Sequence, residues 1–299
     1  MTHVVTLVSN PAAPALTEAV LARAAAALPG ASAPHWLNPG IAADLFLTPT
    51  GVADNRALAE TLRAALGDAK IDVIVQVAAT RRKKLFLADM DSTMIGQECI
   101  DELAAYVGMK EHVAAITERA MRGEIEFEPA LRERVALLKG LDAKIVAQVI
   151  AERITFTPGG RELVRTMRAN GAHAALVSGG FTLFTSKVAE AIGFHENRAN
   201  VLMVEDEKFA GFVSEPILGK EAKLAALIEL REAHGLAPED TMAVGDGAND
   251  LAMLGEAGLG VAFHAKPAVA AAAHARIDHA DLTALLYAQG YAVGEFVDV

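Results

Sequence analysis

The chain has 299 residues, 53% hydrophobic and 5% aromatic, which suits about two domains with cores of their own and excludes a disordered chain. Its 27 Lys and Arg against 38 Asp and Glu leave a net charge of −11, which excludes broad electrostatic binding to nucleic acid but not a small anion held by local cations. A single cysteine, Cys99, excludes an internal disulfide framework, and no apolar run approaches the roughly 20 residues of a membrane helix. The opening Met1-Thr2-His3-Val4-Val5 lacks the basic segment and long apolar core of an export signal, so the expectation is a soluble cytoplasmic protein.

Residues 1–80 read as strand, helix, strand, strand, helix, strand. Val4 to Val8 is β-rich, and Ala15 to Leu28 has helical composition closed by Pro29-Gly30. Ala33 to Leu37 and Ala43 to Leu47 are set to pair across Asn38-Pro39-Gly40. Asn55 to Leu66 is a second helix, ending at Gly67, and Ile71 to Val77 a last strand. This order predicts a small split βαβ, ferredoxin-like α+β sandwich. In pattern and length it also resembles the ACT regulatory module, although the first strand-to-helix turn reads Ser9-Asn10-Pro11-Ala12-Ala13 where that module usually has a glycine. A structural or homodimer-forming role is therefore favoured over amino-acid sensing. The basic run Arg81-Arg82-Lys83-Lys84 that follows reads as a solvated linker.

Leu85 to Ala88 is an unbroken apolar run, the mark of a strand buried on both faces, and it runs into Asp89-Met90-Asp91-Ser92-Thr93. Ligands of open α/β sheets sit beyond the carboxyl ends of the strands. Two carboxylates this close are costly unless one stays protonated or a cation neutralises them, and a hard divalent ion, most simply Mg²⁺, meets that need. A long helical region from about Glu98 to Arg153 follows, broken at Gly108, Gly123 and Gly140, and predicts an inserted helical cap at about 97–155. From Thr157 helix and strand alternate: a helix after Pro158-Gly159-Gly160, a strand at Ala174 to Val177, a helix to Ile192 and a hairpin around Glu205-Asp206-Glu207-Lys208. A helix from Lys220 to His234 comes next, then a strand at Thr241 to Val244, a helix at Leu251 to Ala257 and a strand at Leu259 to Phe263. The expectation for residues 81–299 is a Rossmann-like parallel sheet.

Three strands thus end in polar turns: Asp89 to Thr93, Ser178-Gly179-Gly180, and Gly245-Asp246-Gly247-Ala248-Asn249-Asp250. As neighbours in one sheet they face one crevice. Asp89 and Asp91 offer a nucleophile and a proton carrier, and Ser178 with the Gly179 and Gly180 amides offers donors to phosphate oxygens. Asp246 can complete a metal site, and Lys220 or Lys223 can supply the missing positive charge. His274 and His279 lack the spacing of a helical zinc pair.

The order Asp-x-Asp-x-Thr, Ser-Gly-Gly, Lys, Gly-Asp-Gly-x-Asn-Asp resembles the four motifs of the haloacid dehalogenase-like (HAD) phosphatases. Glu98 to Glu102, Phe127 to Leu138 and Val177 to Phe181 narrow the resemblance to their phosphoserine phosphatase branch. The resemblance implies that Asp89 is the nucleophile and Asp91 the general acid/base. It implies Mg²⁺ on Asp89, Asp246 and the Asp91 backbone carbonyl, with Asp250 in support. Phosphate is then held by Ser178, Gly179, Lys223 and Asn249, with Gly180 and Thr93 supporting. Glu98 and Arg134 take the ammonium and carboxylate of O-phosphoserine, and Met121 and Phe127 close over it. Another amino-acid phosphomonoester, such as phosphothreonine or phosphohomoserine, is the alternative substrate, and a regulatory protein with a silent phosphatase domain the alternative class.

Overall fold

A computed structural model describes residues 1–49 and 54–297. The first sheet is built from β1 (His3–Ser9), β2 (His35–Asn38), β3 (Ala42–Leu47) and β4 (Ile71–Val77), all antiparallel in the order β2-β3-β1-β4. Helices α1 (Glu18–Ala26) and α2 (Asn55–Leu66) lie between them in sequence, capped by the side chains of Thr17 and Asp54. The strand period of two sends Val5, Leu7, Leu45, Val73 and Val75 to the helices. The alternate residues Thr6, Asp44, Asp72 and Gln76 are also buried, although polar, because the chain's C-terminal segment covers that face. The Asp72 carboxylate accepts from the backbone amides of Asp278 (2.7 Å), His279 (3.2 Å) and Ala280 (2.7 Å), and Gln76 donates to the Ala288 carbonyl at 2.7 Å.

The expected solvated linker at Arg81 to Lys84 is not what forms. Arg81 pairs with the buried Asp44 at 2.7 Å, Arg82 lies over the Tyr291 ring, and Lys83, 6% exposed, donates to the Glu239 carbonyl. Lys84 stays mostly in water and Arg82 is half-exposed, so the solvated reading holds for these two and fails for Arg81 and Lys83. Arg81 thus ties this segment to the first sheet and Lys83 ties it to the turn before the strand that starts at Thr241, their apolar stems covering the joint while their heads find oxygens.

The second sheet is parallel, with β5 (Leu85–Ala88), β6 (His173–Phe181), β7 (Glu196–Asn200), β10 (Thr241–Gly245), β11 (Leu259–Phe263) and β12 (Ala275–Ile277) in the order β12-β11-β10-β5-β6-β7. Chain order reverses at β5, whose neighbours are β6 on one side and β10 on the other, so the crevice of the sheet opens over β5. Around it pack α7 (Gly160–Ala169), α8 (Thr182–Ile192), α9 (Lys220–Ala233), α10 (Leu251–Glu256), α11 (Pro267–Ala272) and α12 (Ala284–Ala288). Between β5 and β6 stand α3 (Cys99–Ala105), α4 (Lys110–Met121), α5 (Phe127–Ala136) and α6 (Ile145–Glu152), turned at the left-handed Gly108, Gly123 and Gly140.

The hairpin β8 (Leu202–Glu205) and β9 (Lys208–Val213) joins this helical layer: Gly140 and Ala143 donate to the carbonyls of Phe209 and Glu207. The cap is therefore braced by a second, distant stretch of chain. Among the described residues no helix is long and apolar enough to cross a membrane.

Candidate active site

Asp89 ends β5, and its Oδ1 accepts from the Met90 amide at 2.7 Å. Residues 90–94 form one wide turn closed by the Ile95 amide on the Met90 carbonyl, with Met90 and Met94 buried beneath it. The turn needs a left-handed residue, and Ser92 takes φ 54°. Its hydroxyl donates to Glu98 Oε1 at 2.6 Å. Asp91 faces the crevice and accepts from the Cys99 amide, at the start of α3, at 3.1 Å.

Lys223 decides which lysine belongs to the site. It is wholly buried, and its Nζ lies 2.6 Å from Asp89 Oδ2 and 2.7 Å from Asp250 Oδ1. The Lys220 side chain is 61% exposed and only lines the mouth of the cleft. Asp250 Oδ2 accepts from the amides of Asp246 and Gly247, both at 3.1 Å, which fixes the turn after β10. Gly245 allows that approach, since a Cβ there would stand 2.3 Å from the Asp250 carboxyl. Thr93, expected to support the phosphate site, donates to Asp246 Oδ1 at 3.2 Å.

Oxygens of Asp89, Asp246 and Asp250 lie within 4.8 Å of one another, all buried. One ammonium faces three carboxylates. Burial, and then the charge of Asp250, pushes Asp89 up to about 7 against the pull of Lys223. Burial, with Asp250 and Asp89 adding repulsion, raises Asp246 well above the usual carboxylate range. Burial works against the Lys223 charge, yet Asp250 and Asp89 hold the ammonium above its ordinary value. An all-oxygen, hydrogen-bonded, negatively charged pocket of this kind fits a hard divalent cation.

On the β6 side, Ser178 is 1% exposed and its Oγ accepts from the Gly180 amide at 2.9 Å. The strand runs on to Phe181, past the Val177 where its apolar pattern ends, so the Ser-Gly-Gly segment projects beyond the end of β5. Both glycines are required by space. A Cβ on Gly179 would stand 2.8 Å from the Phe127 ring, and one on Gly180 2.8 Å from Asp91 Oδ2. Asn200 holds this segment by donating to the Gly179 carbonyl at 2.8 Å while bonding the Leu218 amide and carbonyl. Asn249 lines the cleft with a buried side-chain oxygen that has no partner among the described residues.

The cleft, about 790 Å³, is roofed by the helical layer. Glu98, Thr117, Phe127 and Arg134 line it from that side, and Asp91, Ser178, Gly179 and Asn249 from the sheet side. The side chain of Met121, the other expected lid residue, lies outside the described residues. Arg134 is 4% exposed, yet its bonds go to neutral groups, the Ala130 carbonyl (3.0 Å) and Thr117 Oγ1 (2.9 Å). Among the described residues, the Glu98 carboxyl in turn has only the Ser92 hydroxyl. Burial, and then Asp91, pushes Glu98 up to about 8, and burial, opposed by Asp91's bond from Cys99, lifts Asp91 to about 7. A carboxyl and a guanidinium thus line one cleft with neither paired to a counter-ion among the described residues. Buried charges are normally paired, so each has a place open for a ligand charge.

Sequence reasoning missed Asn200 and Thr117. Asn200 ends a strand too polar to stand out, and Thr117 is one polar residue in an ordinary amphipathic helix. Neither has a spacing that points to it.

Comparison with known proteins agrees with this geometry. Residues 86–255 match the family model described as haloacid dehalogenase-like hydrolase. A phosphoserine phosphatase of Albidiferax ferrireducens is 49% identical over 208 residues, 68% of this chain and 88% of that protein. Among solved structures, a phospho-aspartyl intermediate analogue of phosphoserine phosphatase is 42% identical, with a TM-score of 0.66 over 69% of this chain and 98% of that one. A probable phosphoserine phosphatase of Vibrio cholerae, in unliganded form, is 31% identical with a TM-score of 0.76 and covers 98% of this chain and 88% of that one, so the likeness extends through the N-terminal sheet.

Proposed function

The chain belongs to the haloacid dehalogenase-like hydrolase family, and on that footing we propose that it hydrolyses O-phospho-L-serine to L-serine and phosphate, the last step of serine biosynthesis by this route. The observation that carries the choice of substrate is the pair Glu98 and Arg134, without counter-ions among the described residues, on the roof of a cleft whose floor carries Asp89, Ser178 and Asn249. A zwitterionic amino acid brings one cation and one carboxylate, the complement of that pair.

Asp89 is the nucleophile. Its carboxylate oxygen bonds to phosphorus as the bond from phosphorus to the serine oxygen breaks, which gives an aspartyl-phosphate. Asp91, which burial lifts to about 7 so that its protonated form is available near neutral pH, donates that proton to the departing serine oxygen and afterwards takes one from the water that hydrolyses the acyl phosphate. Lys223 holds Asp89 in place and offsets charge where an anion attacks an anion. Ser178, the Gly179 amide and Asn249 hold the phosphoryl oxygens, and Phe127 against Gly179 closes the roof to water. Asp89, Asp246 and the Asp91 carbonyl, with Asp250 in support, would hold Mg²⁺, which would supply charge neutralisation on the phosphoryl group.

We place the enzyme in the cytoplasm. Residues 1–80 serve a structural role, since Asp72 and Gln76 tie their sheet to the catalytic unit, and a homodimer would form through the same module. A substrate panel tests the assignment: phosphoserine should exceed phosphothreonine and simple alkyl phosphates in kcat/KM. Equal turnover of all of them, or an Arg134→Ala variant with unchanged KM for phosphoserine, removes it.

A further inference from the structure

Resting on the reading of the cleft as a phosphoserine site, we propose that Thr117 is a positioning residue that sets the grip on the substrate carboxylate by acting through Arg134. Thr117 is 4% exposed and sits on α4, one helix away from the arginine. Its Oγ1 accepts from Arg134 Nη1 at 2.9 Å, and its one proton has two acceptors in reach, Asp101 Oδ1 at 2.7 Å and the Val113 carbonyl of its own helix at 3.0 Å, the carboxylate being the nearer and the charged one. A hydroxyl has one proton and two lone pairs, so the bond from Arg134 and the bond to Asp101 can stand together. The Ala130 carbonyl takes Arg134 Nε at 3.0 Å. Two of the five guanidinium N–H groups are therefore spent on neutral oxygens, one from each of two helices, and the group is fixed in its plane.

The indirect route to Asp101 matters. A carboxylate bonded straight to Arg134 would occupy the fork and would have to be displaced by each incoming substrate. With the Thr117 hydroxyl between them, Asp101 orients the guanidinium while the remaining N–H groups keep their capacity for a bidentate carboxylate. Thr117 and Arg134 both line the cleft beside Glu98, so a change in arginine tilt alters the fit at the amino-acid end and leaves the phosphate end alone. Substrate discrimination by the carboxylate then depends on a residue that carries no charge.

Steady-state kinetics on two substrates test this. O-phosphoethanolamine keeps the phosphate and ammonium of phosphoserine and lacks the carboxylate. Thr117→Val keeps the shape and loses the hydroxyl, Thr117→Ser keeps the hydroxyl, and Thr117→Ala replaces the valine variant if that does not fold. The expected result for Thr117→Val is a KM for phosphoserine raised about tenfold, the scale of one hydrogen bond to a charged group, with kcat changed less than about twofold. Its kcat/KM for phosphoethanolamine should stay within about twofold of the parent, and Thr117→Ser should match the parent on both substrates. An unchanged KM for phosphoserine, or an equal loss on both substrates, overturns the role of Thr117 alone. A parent enzyme indifferent to the carboxylate instead removes the reading of the cleft, and the proposal with it.

Discussion

Asp246→Asn should make the metal-free protein more stable while destroying its response to Mg²⁺. The substitution keeps the size of the side chain and an oxygen for the Thr93 hydroxyl, and removes one charge from the cluster with Asp89 and Asp250. At the 4.8 Å that bounds the cluster, and with an effective dielectric constant of about 20, each like-charged pair costs about 3.5 kcal/mol. Two such repulsions act on Asp246 and attraction to Lys223 offsets roughly one, leaving about 3.5 kcal/mol to relieve. Proton uptake already relieves part of this, because burial and its neighbours raise Asp246 well above the usual range, so about 1–2 kcal/mol remains. At about 2 °C per kcal/mol for a chain of this length, Tm in EDTA should rise by about 2–4 °C.

The pH dependence has a definite sign. Asp89 and Asp246 hold protons more tightly folded than unfolded, so their contribution favours the fold below about pH 4 and is lost as pH rises, for Asp89 through about 7. Scanning fluorimetry or calorimetry at pH 5.5 and pH 8, with EDTA or millimolar MgCl₂, reads both effects. Mg²⁺ should raise the parent's Tm more at pH 8 than at pH 5.5, and the Asn variant's at neither. A variant less stable than the parent in EDTA, or one with an undiminished Mg²⁺ response, would show that the cluster is not a strained cation site.

Other outcomes follow from the same geometry. Asp89→Asn should lower kcat by at least about a thousandfold with little change in Tm, as measured by phosphate release and calorimetry. Glu98, pushed up to about 8, is largely neutral at lower pH and cannot then pair with an ammonium, so KM for phosphoserine should fall as pH rises through about 8. Glu98→Gln should raise that KM and flatten its pH profile. Gly179→Ala should lose more than about tenfold in kcat/KM, since its new methyl meets the Phe127 ring, and Phe127→Ala in the same chain should recover part of the loss.

Buried apolar strands running into polar turns made the catalytic floor legible. Leu85 to Ala88 before Asp89 and Thr241 to Val244 before Asp246 do this in few residues, and their neighbourhood in one sheet follows from right-handed crossovers. The N-terminal module was readable for the same reason, down to α2 at Asn55–Leu66 and β4 at Ile71–Val77. Elements at the sheet's margins were hidden. β7 reads Glu-Asn-Arg-Ala-Asn because it is an edge strand with little to bury, and β12 has only three residues. The wholly buried Ala-Leu-Leu-Tyr-Ala of α12 has no polar face to reveal a helical period. The clamp by Arg81 and Lys83 was misread as a solvated run because charge in a sequence signals water unless the buried oxygens it will meet are known.

The central claim is that Asp89, Asp91 and a divalent cation bound beside them cleave the phosphate of an amino-acid ester. It is tested most directly by phosphate release from O-phospho-L-serine with Mg²⁺, and again after EDTA. The account predicts rapid release with Mg²⁺, loss of activity in EDTA and recovery when Mg²⁺ is returned. Release that persists unchanged in EDTA, or its absence with Mg²⁺ present, would contradict it.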